Sequence, residues 1–295
     1  MYTSVNQYLK DTYGEKVYKL SLDAGLSCPN RDGTLGTTGC IFCSEGGSGD
    51  FAQKKVGSIT AQIEAAKSQI EAKTDCKKYI AYFQAYTNTY GDIKYLREIF
   101  FEAINHPQVV ILSIATRCDC ISDEVLDLLS ELNMVKPVWI EMGLQSVHEK
   151  TLEYIECGYT LRQFEEAVDR LKKKNITVIT HLILGLPGET KQEMLESVRH
   201  AVSLPIDGIK LQLLHVLKNT KLAEIYKKEP FKVFELEEYC ELIVECLKLI
   251  PQNIVVHRIT GDGPRSLLIA PLWSIDKKRV LNTITKLLKE SEESS

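Results

Sequence analysis

Several features that would assign this chain to a common functional class are missing from it. Its 295 residues contain no uninterrupted apolar run approaching about 18 residues, so we expect no membrane span. Residues 1–7 show neither a basic segment nor an apolar one, which disfavours a secretory signal and favours a cytoplasmic protein. The formal net charge of −4 argues against a generally basic nucleic-acid-binding surface but leaves room for a local basic patch.

The nine cysteines do not form the pattern of a disulfide framework. Their number is odd, their spacings are irregular, and a chain with 44% hydrophobic residues can build a large core without disulfides. In a chain without an export signal, clustered cysteines favour metal binding or redox chemistry.

Short apolar runs alternate with longer amphipathic segments over much of the chain. Six strand candidates, rich in Val, Ile, Leu and Tyr, lie at 17–22, 79–85, 109–115, 137–142, 176–184 and 208–214. Helical patterns occur between them at 57–73, 122–133, 160–174 and 189–203. Repeated strand–helix–strand units predict an α/β fold with a parallel sheet. An open six-stranded barrel and a doubly wound sheet both fit this pattern.

The pattern changes at about residue 216. Helices are predicted near 219–228, 235–250 and 276–290, with one further apolar run at 254–259. We therefore predict two regions, an α/β region over 1–215 and an appended C-terminal α+β region over 216–295.

Three cysteines follow the first predicted strand on one glycine-rich loop. Cys28, Cys40 and Cys43 have the spacing C-x11-C-x2-C, and three thiolates on one loop can hold a soft metal centre. A structural zinc site usually has four ligands and is closed. Three cysteines leave one position open for a small molecule. Buried structural cysteines, and a zinc site completed by a distant Cys or His, are the alternatives.

This loop resembles the cluster loop of the radical S-adenosylmethionine superfamily, in a variant with lengthened spacing. Further along the chain, five segments resemble a bacterial group of these enzymes, the YhcC/YtqA-like family, which is related to elongator-type tRNA-modifying enzymes. These segments are 82–90, 113–120, 141–146, 185–190 and 258–265. The resemblance implies a partial (β/α)6 barrel.

The resemblance also implies cofactors and a reaction. Cys28, Cys40 and Cys43 would hold a 4Fe–4S cluster whose fourth iron binds S-adenosylmethionine. One electron, supplied by a reducing partner such as flavodoxin or ferredoxin, would then produce a 5′-deoxyadenosyl radical that abstracts hydrogen from the substrate.

The matched segments lie at or just after the C-terminal ends of predicted strands, where parallel α/β sheets gather ligand-binding groups. The resemblance implies that eight residues bind S-adenosylmethionine: Phe42, Gln84, Tyr86, Thr116, Arg117, Glu141, Gln145 and Gly185. Glu141 stands on an otherwise apolar strand and needs a partner if it is buried. We favour cofactor binding over a structural ion pair for it, and Arg117 is the expected partner in either case.

Three further residues are candidates for catalysis. Lys210 lies on an apolar strand and is expected to meet a carboxylate in the cavity. His215 follows the same strand, although a lone histidine there, like His181, is more often part of the core. Cys120 could contact the substrate or carry a hydrogen atom, and its one-residue spacing from Cys118 disfavours a second cluster.

For the substrate, the resemblance points to the wobble uridine of tRNA, with a 5-carboxymethylaminomethyl side chain matured toward aminomethyl. Cations at 172–174 and 277–279 would surround the barrel mouth and contact phosphates, and Tyr86 or Tyr90 would stack on a base. Four residues of the last segment support this reading: Arg258, Thr260, Asp262 and Arg265. The alternatives are a radical enzyme acting on a small metabolite or a protein, and a non-catalytic iron–sulfur or zinc sensor.

Overall fold

The computed structural model describes residues 2–47, 57–261 and 263–293. Its first half consists of α1 (Val5–Tyr13), β1 (Tyr18–Leu22), α2 (Ile59–Glu71), β2 (Tyr79–Phe83), α3 (Ile93–Ile104), β3 (Val109–Thr116), α4 (Asp123–Asn133) and β4 (Val138–Gln145). The second half adds α5 (Glu149–Tyr154), α6 (Leu161–Lys173), β5 (Thr177–Leu184), α7 (Lys191–Ser203), β6 (Gly208–Leu213), β7 (Val216–Leu217), α8 (Lys221–Lys228), α9 (Leu236–Leu249), β8 (Val255–Arg258), β9 (Leu268–Ala270) and α10 (Lys277–Glu293).

Seven strands form one parallel sheet in the order β1-β2-β3-β4-β5-β6-β8. The predicted α/β fold with an open, barrel-like sheet and a C-terminal region is confirmed. The expected count of six strands is corrected, because β8 pairs with β6 and brings the C-terminal region into the same sheet. The boundary between regions 1–215 and 216–295 stays a prediction.

The helices begin where the sequence offers capping side chains. Ser122, Thr160 and Thr190 each accept a hydrogen bond from a backbone N–H of the first turn, and α6 and α7 both have capping boxes. The apolar stripe of α6, including Phe164 and Leu171, is buried. None of the helices in the described ranges is both long and apolar enough to cross a membrane.

The face of the sheet that lines the barrel interior is arranged in layers with a two-residue period. Five strands or strand ends contribute an apolar layer, which packs against Leu9 of α1: Val17, Ile80, Ile111, Trp139 and Ile179. The interior side chains two residues further along are polar: Lys19, Tyr82, Ser113, Glu141 and His181. Because α1 closes the barrel below the apolar layer, the polar layer becomes the floor of a cavity that opens at the C-terminal ends of the strands.

Candidate cofactor and substrate site

A cavity of about 1130 Å³ lies over this polar floor. Its lining includes the three cysteines of the predicted cluster loop, Cys28, Cys40 and Cys43. The opposite wall comes from the C-terminal region, with Arg258 and Lys277 among its residues. The sequence patterns at the ends of separate strands therefore meet in one place.

The cluster loop is held in position by its own polar side chains. Asn30 donates hydrogen bonds to the backbone oxygens of Glu156 and Cys157, at 2.8 and 3.1 Å, and its Nδ2 lies 3.6 Å from Cys40 Sγ. Arg31 donates to the carbonyl oxygen of Ser44 at 2.6 Å. These bonds fix the backbone on both sides of Cys40, so the thiols are presented from an ordered loop.

The three thiols suit an iron–sulfur cluster better than a single metal ion. A zinc ion requires its thiolates at about 2.3 Å from one centre. Within the described ranges, no three His, Cys, Asp or Glu side chains converge closely enough to hold one ion. In a 4Fe–4S cluster each thiolate binds a different iron, so wider separation is expected. Burial, followed by the neighbouring Cys43, raises the pKa of the Cys40 thiol, and coordination to iron would favour its thiolate.

Glu141 is the centre of the polar floor. Its fully buried carboxylate accepts hydrogen bonds from Lys19 at 2.5 Å, Ser113 at 2.8 Å and His181 at 3.1 Å. Lys210 also donates to it, and both lysine ammonium groups lie over the Tyr82 ring, at 4.5 and 5.1 Å from its centroid. Lys210 therefore meets a carboxylate in the cavity, as the sequence predicted.

This cluster has more positive than negative groups, because two lysines share one carboxylate. Burial alone raises the pKa of Glu141, but Lys19 and Lys210 more than offset it, so the net pKa is well below the usual value. Burial lowers the pKa of Lys210, and Lys19 acts in the same direction while Glu141 opposes it. Burial, followed by Lys210, also lowers the pKa of His181 to about 4, so this imidazole is neutral at pH 7.

The expected pairing of Arg117 with Glu141 is wrong. The Arg117 guanidinium instead donates to both carboxylate oxygens of Asp119, at 2.9 and 2.7 Å, and to the backbone oxygen of Cys157 at 2.7 Å. A residue two positions away can form this bidentate pair without any long-range contact. Glu141 finds its partners on other strands, and Arg117 remains in the cavity wall.

Gln145 carries the feature that best fits S-adenosylmethionine. Its Oε1 is buried and has no hydrogen-bond partner, although the residue lines the cavity. Its φ of 67° lies in the left-handed region, which is rare for residues other than glycine. A Cβ at Gly143 would lie 2.1 Å from Gln145 Nε2, so glycine at this position leaves room for the amide where it now lies. An orphaned amide in a strained position indicates a polar ligand.

Most of the other predicted cofactor contacts also lie in the cavity wall. Phe42, Gln84, Tyr86 and Thr116 line it, and the Tyr86 hydroxyl donates to the backbone oxygen of Glu45 at 2.6 Å. Gly185 does not line it; its Cα faces the ring of Phe234, which a Cβ would approach to 3.1 Å. The predicted roles of all these residues stay predictions.

The three candidates for catalysis are separated. Lys210 and His215 line the cavity, and Cys120 does not. The Cys120 Sγ lies 3.7 Å from an oxygen of Asp119, and burial, followed by that carboxylate, raises the pKa of the thiol to about 12. Cys120 is therefore a protonated thiol beside the cavity.

The two basic runs have different environments. Residues 172–174 are at the end of α6, which leads to the N-terminal edge of the sheet, and each lysine pairs with an aspartate: Lys172 with Asp207, Lys173 with Asp169 and Lys174 with Asp127. The expectation that this run surrounds the barrel mouth is wrong. Lys277 and Lys278 of the second run do line the cavity.

The residues of the last predicted segment, 258–265, differ in whether they line the cavity. Arg258 and Arg265 line the cavity, and Thr260 is not among the lining residues. Asp262 lies outside the described residues. Tyr90, a predicted stacking residue, is also not part of the lining, and its hydroxyl lies 2.9 Å from Thr34 Oγ1.

Sequence reasoning missed three residues of the floor. Lys19, Tyr82 and Ser113 all contact Glu141. A signal was available, since each is a polar residue two positions after an apolar residue on a predicted strand. These side chains share the interior face with Glu141, because strand pairing sets Lys19 beside Ile80, Tyr82 beside Ser113, and Ser113 beside Trp139.

Comparison with known proteins gives consistent matches along the chain. The Radical SAM superfamily model matches residues 32–201, and the Radical_SAM C-terminal domain model matches residues 206–290. The uncharacterized protein YtqA of Bacillus subtilis (strain 168) is 43% identical over 287 residues, which cover 97% of this chain and 89% of YtqA.

Two archaeal proteins are more distant. A tRNA uridine(34) acetyltransferase of Methanocaldococcus jannaschii is 26% identical over 163 residues, which cover 54% of this chain and 30% of the acetyltransferase. The structure of Methanocaldococcus infernus Elp3 with an N-terminal deletion superposes with a TM-score of 0.66 at 19% identity, covering 86% of this chain and 58% of Elp3. At this identity the superposition demonstrates a shared fold.

Proposed function

Because this chain belongs to the radical S-adenosylmethionine superfamily and, within it, to the YhcC/YtqA-like proteins, we propose that it modifies the wobble uridine of tRNA. The proposed reaction matures a 5-carboxymethylaminomethyl side chain toward aminomethyl. The CH2 of the carboxymethyl group would lose a hydrogen atom to the radical and an electron to the cluster, and hydrolysis of the resulting imine would break the N–CH2 bond and release the group as glyoxylate. The observation that carries the proposal is the joining of cluster cysteines and C-terminal cations in one cavity. Similarity to a tRNA uridine(34) acetyltransferase over 163 residues supports it.

The cofactors are those of the superfamily, a 4Fe–4S cluster and S-adenosylmethionine. In this proposal Cys28, Cys40 and Cys43 hold the cluster, and Gln145 offers its unpartnered oxygen to S-adenosylmethionine. When bound, the two cofactors supply a radical that can remove hydrogen from an unactivated carbon. The protein contributes the ordered loop, the space at Gly143 in which the Gln145 amide lies, and a closed floor that keeps bulk water away from that carbon.

The floor residues have proposed roles of their own. Glu141 is occupied by Lys19 and Lys210, so its first task is to position these cations. Lys210 lines the cavity beside Glu141, and burial lowers the pKa of its ammonium group, so it is positioned to donate a hydrogen bond to a substrate. His215, on the opposite wall, would contact the substrate side chain. Cys120 lies outside the lining and has no assigned step.

The partners follow from the same proposal. Lys278, an exposed residue of the lining, would contact tRNA phosphates, and the Tyr86 ring would stack on an unpaired base. The reducing partner would be flavodoxin or ferredoxin, and the site of action would be the cytoplasm, where tRNA is modified.

A small metabolite or a protein remains the second candidate substrate, favoured by the chain's net charge of −4 and by the aspartate pairs that neutralise 172–174. A non-catalytic sensor is the third reading, and it predicts no cleavage of S-adenosylmethionine. Release of 5′-deoxyadenosine by the reduced protein separates the sensor from both enzymes.

The decisive experiment is to delete the gene and measure wobble-uridine nucleosides in total tRNA by mass spectrometry. The proposal predicts accumulation of the 5-carboxymethylaminomethyl nucleoside and loss of forms derived from the aminomethyl nucleoside. Complementation with Cys40→Ala serves as the control and should not restore the profile. A wild-type profile, together with no salt-dependent binding of tRNA by the purified protein, would remove tRNA as the substrate.

A further inference from the structure

The C-terminal wall of the cavity concentrates positive charge. Arg258, Arg265, Lys277 and Lys278 all line it. Arg258 is the register partner of Lys210 in the pairing of β8 with β6, so the charge of the wall continues to the floor. Lys277 lines the same cavity as Arg258, and burial, followed by the charge of Arg258, lowers its pKa.

Among the described lining residues, two carry a carboxylate, Glu141 and Asp276. Glu141 is bound by Lys19 and Lys210 on the floor. Asp276 caps α10, where its Oδ1 accepts a hydrogen bond from the backbone N–H of Arg279 at 3.0 Å. The described part of the lining therefore has seven Lys or Arg side chains against two carboxylates, in a chain whose net charge is −4. Such local concentration of one sign attracts an oppositely charged ligand.

His215 lies within this wall in a tightly enclosed position. A Cβ at Gly261 would lie 2.4 Å from its Cε1, and a Cβ at Gly263 would lie 2.7 Å from its Nδ1. The two glycines therefore let the backbone pass close to the ring, which fixes its orientation. Its Nε2 is buried and has no hydrogen-bond partner in the structure. A buried ring nitrogen without a partner, in a cavity wall, is available to a polar ligand.

We propose that Arg258, Lys277 and His215 form a subsite for the carboxylate of the substrate's side chain. This inference rests on the proposed function, whose substrate carries a carboxylate on the carbon from which hydrogen would be removed. Arginine binds a carboxylate through paired N–H donors, lysine adds a point charge, and one imidazole N–H can complete the set.

The position of the wall favours a carboxylate of the base side chain over a phosphate of the RNA backbone. Arg258 is close enough to the floor for its charge to lower the pKa of both Lys210 and His181. A group bound by Arg258 lies beside Lys210 of the floor, where an extruded base can reach it and the backbone of a folded RNA cannot follow. Phosphates would instead contact the outer cations of α10.

Two anticodon stem–loop RNAs test the subsite, one with 5-carboxymethylaminomethyluridine and one with 5-aminomethyluridine at the wobble position. Binding is measured with the cluster-loaded protein and S-adenosylmethionine but no reductant, so that nothing turns over. The wild type should bind the carboxylated RNA about tenfold more tightly or better. Arg258→Gln and Lys277→Gln should bring this ratio close to one, and Arg258→Lys should keep part of it.

Arg279→Gln is the matched control for Lys277→Gln, because Arg279 is also on α10 but does not line the cavity. It should leave the ratio of the two affinities unchanged. An equal affinity of the wild type for both RNAs, or an unchanged ratio in Arg258→Gln, overturns the subsite. Equal weakening of both RNAs by Arg258→Gln would assign the wall to phosphate and overturn it as well. Iron content and melting temperature show whether Arg258→Gln has folded. If it has not, the ratio of the two affinities in Arg258→Lys is the deciding measurement.

The free nucleosides separate this inference from the proposed function. Tighter binding of the carboxylated nucleoside, lost in Arg258→Gln, supports the subsite even if gene deletion leaves tRNA unchanged. A changed tRNA profile with no preference for the carboxylated nucleoside or RNA leaves the proposed function standing and removes the subsite.

Discussion

Lys19 and Lys210 reach the same buried carboxylate from two strands that are far apart in the sheet. Lys19 is on β1 and Lys210 is on β6, and both donate to Glu141 on β4 between them. This contact ties one edge of the sheet to its far side across the barrel interior. A single acid therefore compensates two cations, and the structure around it should be sensitive to its loss.

Glu141→Gln should destabilise the protein strongly, because two lysines would then share a neutral amide. Removing one partner of a buried pair costs about 3–5 kcal/mol in the free energy of unfolding. Urea unfolding of the apoprotein at pH 7 measures this change. The double variant Glu141→Gln with Lys210→Met should recover part of the loss, since it also removes the buried cation. A loss below about 1 kcal/mol for Glu141→Gln would show that water or movement relieves the charges.

Stability should fall on mild acidification, partly because of His181. Its pKa is lowered to about 4 in the folded protein by burial and by Lys210, against about 6.5 when unfolded. The unfolded state therefore takes up a proton first, and stability is lost as the pH falls from about 6.5 to about 4. The full shift corresponds to about 3 kcal/mol.

Urea unfolding between pH 7 and pH 4.5 checks this, with His181→Gln as the comparison. Glutamine keeps a donor for Glu141 but cannot titrate, so the variant should lose less stability than the wild type over this range. His215, whose pKa is also lowered to about 4 by burial and Lys277, gives the wild type and the variant a shared residual slope. Identical slopes in the two proteins would exclude His181 as the source.

Much of the fold was accessible from the sequence because the interior strands carry strong local patterns. Val, Ile and Leu in β3 and β5 and the capping residues of α4 and α6 predict these elements without tertiary information. Helix α1 was not predicted, because most of its residues are polar and only Leu9 is buried. Strand β8 lies in the apolar run at 254–259, but its place beside β6 is a long-range pairing that local patterns do not contain.

The site was predictable to the extent that its residues follow strands. Because the C-terminal ends of parallel strands share one edge, Cys28, Gln84, Glu141 and Lys210 could be placed together. The side chains that pair with these residues could not be predicted in the same way. Lys19 is 122 positions from Glu141 in the sequence, so no local pattern indicates their contact. Arg117 pairs with Asp119, an acid only two positions away, and not with Glu141. Such choices depend on which side chains share a layer of the barrel interior.

The cluster ligands can be tested by iron content. Cys28→Ala, Cys40→Ala and Cys43→Ala should each abolish the cluster, because a 4Fe–4S cluster with only two thiolates is not retained. Anaerobically reconstituted wild type should hold about four irons per chain. Cys118→Ala and Cys120→Ala are the matched controls and should hold nearly as much iron as the wild type. Loss of the cluster in either control would make the ligand assignment wrong.

The close approach of Gly143 to the Gln145 amide gives a prediction about the binding of S-adenosylmethionine that is specific to this structure. Gly143→Ala would place a Cβ at 2.1 Å from Gln145 Nε2, so the amide must leave its present position. Affinity for S-adenosylmethionine should fall about tenfold, as expected for the loss of one hydrogen bond to a charged ligand. Gln145→Ala should have a similar effect, and the double variant should be no worse than either single one, because both changes remove the same contact. Equilibrium binding to the reconstituted, unreduced enzyme measures the affinity, and iron content checks that the cluster survives. Unchanged affinity in both single variants would move Gln145 to a structural role.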